Sequence, residues 1–129
     1  MRLLRKLLGR TIAVGAVAAS VIAFTALPAS AAWHAATAGG DGATIRDCYH
    51  PVNLPPNLGC KPVITVPAWT QVRVVCQRQG QSITGYYGTS DLWNYVVWEG
   101  GPNRPEGYVA DANLDTGYPY RIPGVGTCA

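Results

Sequence analysis

Seven residues, Gln71-Val72-Arg73-Val74-Val75-Cys76-Gln77, constrain this chain more than any others. Val72, Val74 and Cys76 fall on one side of an extended backbone, and Arg73, Val75 and Gln77 on the other. Alternation of this kind, rich in β-branched residues, is the pattern of a half-buried strand. Cys76 is expected on the inward face, so the strand doubles as the anchor of a disulfide. The rest of the mature chain reads as shorter strands and turns built against it.

The first residues follow a different logic. Met1 to Arg10 carries Arg2, Arg5, Lys6 and Arg10 with no acid, and Thr11 to Leu27 is an uncharged apolar run. Pro28-Ala29-Ser30-Ala31-Ala32 then supplies small residues in an A-x-A pattern. A basic start, an apolar middle and a small-residue site make a secretory signal peptide over residues 1–31, cut after Ala31 with Ala32 as the alternative. The competing reading is a membrane anchor, since the run approaches the roughly 20 residues that span a bilayer. The Ala-rich content and the immediate cleavage site favour removal. The chain is therefore expected outside the cell, secreted or associated with the cell wall, with no membrane contact after cleavage.

Removing the leader reverses the charge. The whole chain is formally +3, but the mature part sets six bases against seven acids, a formal net charge of −1. No basic run survives, which argues against nucleic acid or an anionic membrane as partner. All four cysteines, Cys48, Cys60, Cys76 and Cys128, lie after the leader. An even count in an oxidising compartment reads as two disulfides, which a domain this small needs as staples. Three connectivities are possible, and Cys48–Cys60 with Cys76–Cys128 is preferred. The first closes a short loop stiffened by Pro51, Pro55 and Pro56, and the second ties the central strand to the chain end. A zinc site built on Cys48-x-His50 has poor ligand spacing, so no metal and no cofactor are expected.

Trp33 to Gly42 has small residues, glycines and no periodicity, and residues 32–42 read as a flexible lead-in to a domain spanning 43–129. Strands are expected at Ala43–Arg46, Pro62–Val66, the central stretch, Leu92–Trp98 and Gly107–Ala110. Ser82-Ile83-Thr84 is read as the return of a hairpin that turns within Gln77–Gly85. Asp111–Leu114 suits a tight 3₁₀ turn, and Glu99–Glu106 an exposed loop. No credible helix follows the leader. Five short strands joined by Gly/Pro turns point to an all-β fold, a small barrel or sandwich.

Four segments taken together carry a resemblance: Val66-Pro67-Ala68-Trp69-Thr70 running into the central strand through Gln77, then Thr84-Gly85, then Tyr87-Gly88-Thr89-Ser90-Asp91-Leu92-Trp93, then Gly107 through Gly117. In order and spacing they resemble a bacterial Src-homology-3-type (SH3-like) domain, in its secreted actinobacterial form. The resemblance implies a five-stranded barrel acting as a non-catalytic module that binds peptidoglycan. The first loop, Thr44 to Pro51, departs from the family's Asn/Val-Arg-Ser-Gly-Pro pattern and carries the added cysteines.

Aromatic residues dominate the mature chain. Sugar rings present C–H faces to flat aromatic rings, and their hydroxyls and acetamides need Asp, Asn or Gln alongside. Trp93 and Tyr108 sit at strand positions and are expected in the core. Tyr49, Tyr86, Tyr87 and Trp98 lie in or beside turns, with Asp91, Asn94 and Asp111 at the expected rim. The candidate ligand-binding set is therefore Tyr49, Tyr86, Tyr87, Asp91, Trp98 and Asp111, in a groove between the Tyr49 loop and the Trp98 loop. No catalytic residues are assigned: paired thiols leave no nucleophilic cysteine, and His50 with Ser82, Ser90 and Asp91 has no nucleophile-turn motif. Two functions remain. One is a monomeric module holding cell-wall glycopeptide or its peptide stems. The other is a module that contacts or inhibits an extracellular hydrolase through the stiff Cys48–Cys60 loop, since a cross-linked loop loses little entropy on binding.

Overall fold

The long alternating stretch does become the organising strand. In the computed structural model, which describes residues 33–129, it is the first half of β4 (Gln71–Gly85). The other strands are β1 (His34–Ala38), β2 (Ala43–Asp47), β3 (Lys61–Val66), β5 (Gly88–Val97), β6 (Glu106–Ala110), β7 (Leu114–Asp115) and β8 (Gly126–Thr127). A 3₁₀ turn, Asp111–Asn113, joins β6 to β7. The strands form one sheet in the order β3-β2-β6-β5-β4-β1-β7, with β8 added parallel to β4, and the path does not close on itself. The fold is all-β, as expected. The signal peptide lies outside the described residues. Among those residues no helix is long and apolar enough to cross a membrane.

Eight strands stand among the described residues where five are expected, the additions being β1, β7 and β8, and two expectations are corrected. Residues 34–38 are not a flexible lead-in. His34–Thr37 pair antiparallel with Val74–Gln71 of β4, and Thr37 and Ala38 pair with β7. Ala36 and Ala38 are buried there, so a run with no local strand signal is held by its neighbours. Nor does β4 turn back before Gly85. Gly80 is a close-approach position: a Cβ on it would collide with the Pro56 carbonyl, which accepts the Gln81 amide at 2.9 Å. The hairpin turn is the pair Tyr86-Tyr87, between Gly85 and Gly88.

Two apolar clusters occupy opposite faces of the sheet. Ile45, Val66, Val72, Val74, Val96, Val109, Leu114 and Ile122 fill the first, with the alanines of β1 and β2. Trp93, Tyr108, Ala110 and the cysteines form the second, with Tyr49, Ile83 and Tyr95 packed against it. Burial of Trp93 and Tyr108 agrees with their strand positions.

A bulge sets the phase between the two faces. Val74 pairs with Val96 and Cys76 with Tyr95, so Val75 is the extra residue. The alternation slips there by one, which corrects the expectation for Cys76. It turns away from Val72 and Val74 to join the second cluster, and Gln77 takes the interior position, fully buried. Both disulfides have the preferred connectivity, Cys48–Cys60 and Cys76–Cys128.

The staple loop, Tyr49 to Gly59, is thereby laid over the outer face of the sheet. Arg46 donates to the carbonyls of Leu58 and Cys60, both at 3.1 Å. Arg78 donates to Asn53 at 2.7 Å, and Gln81 accepts the Leu58 amide at 2.8 Å.

Candidate functional site

At one end, three aromatic rings meet. Tyr86 and Tyr87 form the tip of the β4–β5 hairpin, and Trp69 stands in the turn from β3 to β4. Their rings pack edge to face, Trp69 on Tyr86 at 5.6 Å and Tyr86 on Tyr87 at 5.0 Å between centroids. All three stay open to solvent, Trp69 at 61%, Tyr86 at 47% and Tyr87 at 45%. The tip is fastened from beneath: the Tyr87 amide donates to the Ala112 carbonyl at 2.9 Å and the Tyr86 amide to Asn113 Oδ1 at 3.1 Å. Gly39 and Gly40 let the β1–β2 turn lie against Tyr86, since a Cβ at either would come within 2.8 and 2.6 Å of that ring.

Trp69 has the unusual backbone. Its φ is 63°, in the left-handed region that glycine occupies freely, and its amide is pinned to the Ala38 carbonyl at 3.0 Å. A bulky side chain there costs about 1–2 kcal/mol. Little burial offsets it.

Tyr87 also begins a cleft of about 390 Å³ that runs along Thr89, Ser90, Asp111, Asp115 and Thr116 to Tyr118. Asp111 is buried to 8% exposure. Its Oδ1 accepts from Asn94 Nδ2 at 2.7 Å; Asn94 Oδ1 accepts from Gln77 Nε2 at 2.7 Å; Gln77 Oε1 accepts the Ile122 amide at 2.9 Å. This chain of neutral groups crosses the interior and ends on a carboxyl. Burial pushes the Asp111 pKa above 3.8, and the bond from Asn94 only partly opposes it. Burial, then the nearby Asp115, raises the Tyr87 phenol. The far wall is set by turns: Asp115 Oδ1 accepts the Gly117 amide at 3.0 Å, and the His34 ring meets Tyr118 edge-on at 5.7 Å.

The sign of the Asp111 shift gives an expected result. A carboxyl whose folded pKa is raised stabilises the fold fully below about 3.8, and that contribution is lost as pH climbs through the raised value. Asp111→Asn keeps an oxygen for Asn94 and removes the buried charge. At pH 7 it is expected to stabilise the fold by on the order of 1 kcal/mol, raising Tm by about 4–8 °C, and to flatten stability above pH 4. Thermal melts of both proteins from pH 3 to 8 check it; a lower Tm for the variant at pH 7 would refute it.

The expected set of site residues is split. Tyr86, Tyr87 and Asp111 come together at this end. Tyr49 and Trp98 do not share a groove, which corrects the expected location, because they pack on opposite faces of the sheet. Tyr49 joins the second cluster, its hydroxyl 2.9 Å from that of Tyr108, above a separate cleft with Asp47, His50, Tyr95 and Glu106. There burial, then Glu106, pushes the Tyr95 phenol up to about 12. Trp98 lies against the first cluster, its ring over Gly101. Asp91 is taken up by Tyr120, whose hydroxyl donates to it at 2.6 Å, and Asn94 is interior rather than at a rim.

Sequence reasoning left Trp69, Asp115 and Tyr118 out of the set. For Trp69 a signal existed: a bulky ring in the turn Pro67-Ala68-Trp69-Thr70, where the chain needs a positive φ. Asp115 and Tyr118 carried none, since only the tail's path brings them to Tyr87. Among the described residues no group of three or more His, Cys, Asp and Glu side chains is placed to hold a metal ion.

No family model matches the chain, and no solved structure matches it. The chain is similar to two proteins of Bacillus subtilis (strain 168). With uncharacterized protein YraI it shares 39% identity over 57 residues, covering 43% of this chain and 47% of that protein. With uncharacterized protein YraJ it shares 31% over 70 residues, covering 52% and 59%. The chain thus spans about half the length of the curated relatives it matches.

Proposed function

We propose that the chain is an exported, non-catalytic module of the Src-homology-3 type that holds cell-wall glycopeptide through the Trp69–Tyr86–Tyr87 ledge. The observation that carries the reading is Trp69. It bears backbone strain, buries little of itself, and lies beside two further exposed rings, so folding stability is a poor account of its presence. Flat rings at right angles offer C–H stacking to a sugar and a wall to a peptide stem. What supports the family reading is the all-β body with two disulfides; its eight strands lie in one open sheet, with β4 bulged at Val75. A cut after Ala31 or Ala32 would leave β1, which starts at His34, whole.

Retention on purified peptidoglycan sacculi tests the reading. Trp69→Gly suits the left-handed backbone and is expected to leave Tm within a few degrees. Combined with Tyr86→Ala it is expected to weaken retention by roughly thirtyfold, the loss typical of a central aromatic anchor. Equal retention of wild type and the double variant would refute the ledge.

One observation favours a second reading. The staple loop holds Val52, Leu54 and Leu58 open to solvent at 55%, 44% and 52%, on a backbone fixed by Cys48–Cys60. Such a surface suits contact with an extracellular hydrolase. Capture of such an enzyme from culture medium, lost on Leu58→Asp while sacculus retention is absent, would put this reading first.

A further inference from the structure

The ledge explains the rings and leaves the adjoining cleft without an occupant. We propose that the cleft between Tyr87 and Tyr118 takes a protonated primary amine carried by the glycopeptide. The proposal rests on the glycopeptide reading for the ligand's source and on the cleft itself for its chemistry.

Charge is the first ground. The cleft is lined by two carboxylates, Asp111 and Asp115, and by no lysine, arginine or histidine. The ion pairs among the described residues engage Asp47 and Glu99 instead. His34, the nearest base, turns Nε2 to the Thr116 carbonyl at 2.8 Å.

Burial is the second. Asp111 is more than nine-tenths buried, and its one side-chain donor among the described residues is the neutral amide of Asn94. A carboxylate has about four acceptor sites. Asn94, held at its other end by Gln77, fills one of them, which leaves the carboxyl with acceptor capacity where it lines the cleft.

Shape and walls are the third. An ammonium brings three donors in a small volume, and the lining of the cleft offers it acceptors in the carboxylates of Asp111 and Asp115. The rings of Tyr87 and Tyr118 flank it, and aromatic faces attract such a cation. Neutral sugar hydroxyls would leave both charges uncompensated.

The test compares intact sacculi with sacculi whose free amines have been acetylated, using wild type, Asp115→Asn and Trp69→Gly. Asp115→Asn keeps the oxygen that caps Gly117 and loses only the charge. Acetylation, or Asp115→Asn on intact sacculi, is expected to cut retention about tenfold, the worth of one charge-assisted contact. Equal retention on both materials, with Asp115→Asn unchanged, overturns the amine while the ledge stands. Absence of wild-type retention on either material overturns the glycopeptide reading instead. The cleft is then judged on soluble probes, by NMR shifts of the Tyr87 and Tyr118 rings. Glucosamine, α-amino-blocked lysine and ε-amino-blocked lysine separate an amino sugar, a side-chain amine and a peptide amino end as sources. No ring shift with any of the three at millimolar concentration overturns the proposal on its own terms.

Discussion

Replacing Cys76 and Cys128 together by alanine is expected to destabilise the fold by about 4 kcal/mol, against about 3 kcal/mol for Cys48 with Cys60. The difference follows from the loops closed, 52 residues against 12. Position adds to it. The Cys76–Cys128 bridge holds the tail where the Cys128 amide donates to the Gln77 carbonyl at 2.9 Å and where β8 pairs with β4. The same tail delivers Ile122 to the interior and Tyr118 to the cleft. Losing the bridge is therefore expected to loosen the binding end as well as the body. Losing Cys48–Cys60 frees a loop that Arg46, Arg78 and Gln81 still hold to the sheet. Urea unfolding of the two double variants checks the order, and a larger loss from the Cys48–Cys60 pair would contradict the tail's role.

Trp93→Ala is expected to cost about 3–5 kcal/mol, the range for emptying a large buried aromatic site. Trp93 is 1% exposed, and its Nε1 donates to the Gln81 carbonyl at 2.9 Å, across the second irregularity of β4. It is the largest side chain of the outer cluster, so its removal takes support from the staple loop at once. A domain of this length has roughly 5–15 kcal/mol in all, so the variant should sit near its folding threshold. Trp93→Phe, which keeps the ring and loses the donor, should cost well under half as much. Chemical denaturation separates the two. A loss below 1 kcal/mol for alanine would mean that the outer face is a covered surface and no second core. Trp69→Gly makes the contrast sharp: one tryptophan holds the fold, and the other is held out from it.

How much of this was legible in the residues depends on the range of each signal. The Tyr86-Tyr87 tip and Asp111 could be picked as candidates because turn aromatics and a carboxyl at a strand end are local features. Tyr49 and Trp98 looked like the same kind of residue and went to opposite faces, since nothing local tells a ring that will cover a core from one that will face a ligand. Asp91 looked like a rim residue and was consumed by Tyr120, which lies 29 positions away.

The amino-acid sequence by itself determined the all-β class, most strand positions and the burial of Trp93 and Tyr108, while it left three cysteine pairings open, of which the structure has the preferred one. Each follows from a period of two along the strand or from spacing along the chain, and neither needs a partner to be read. Only the tertiary structure decided that His34–Ala38 is a strand, that the bulge at Val75 turns Gln77 inward, and that Trp69, Tyr87, Asp111 and Tyr118 share one end. Those outcomes depend on hydrogen bonds and burial between distant segments, where a weak strand former is carried by β4 and β7 and a one-residue slip exchanges the faces of everything after it.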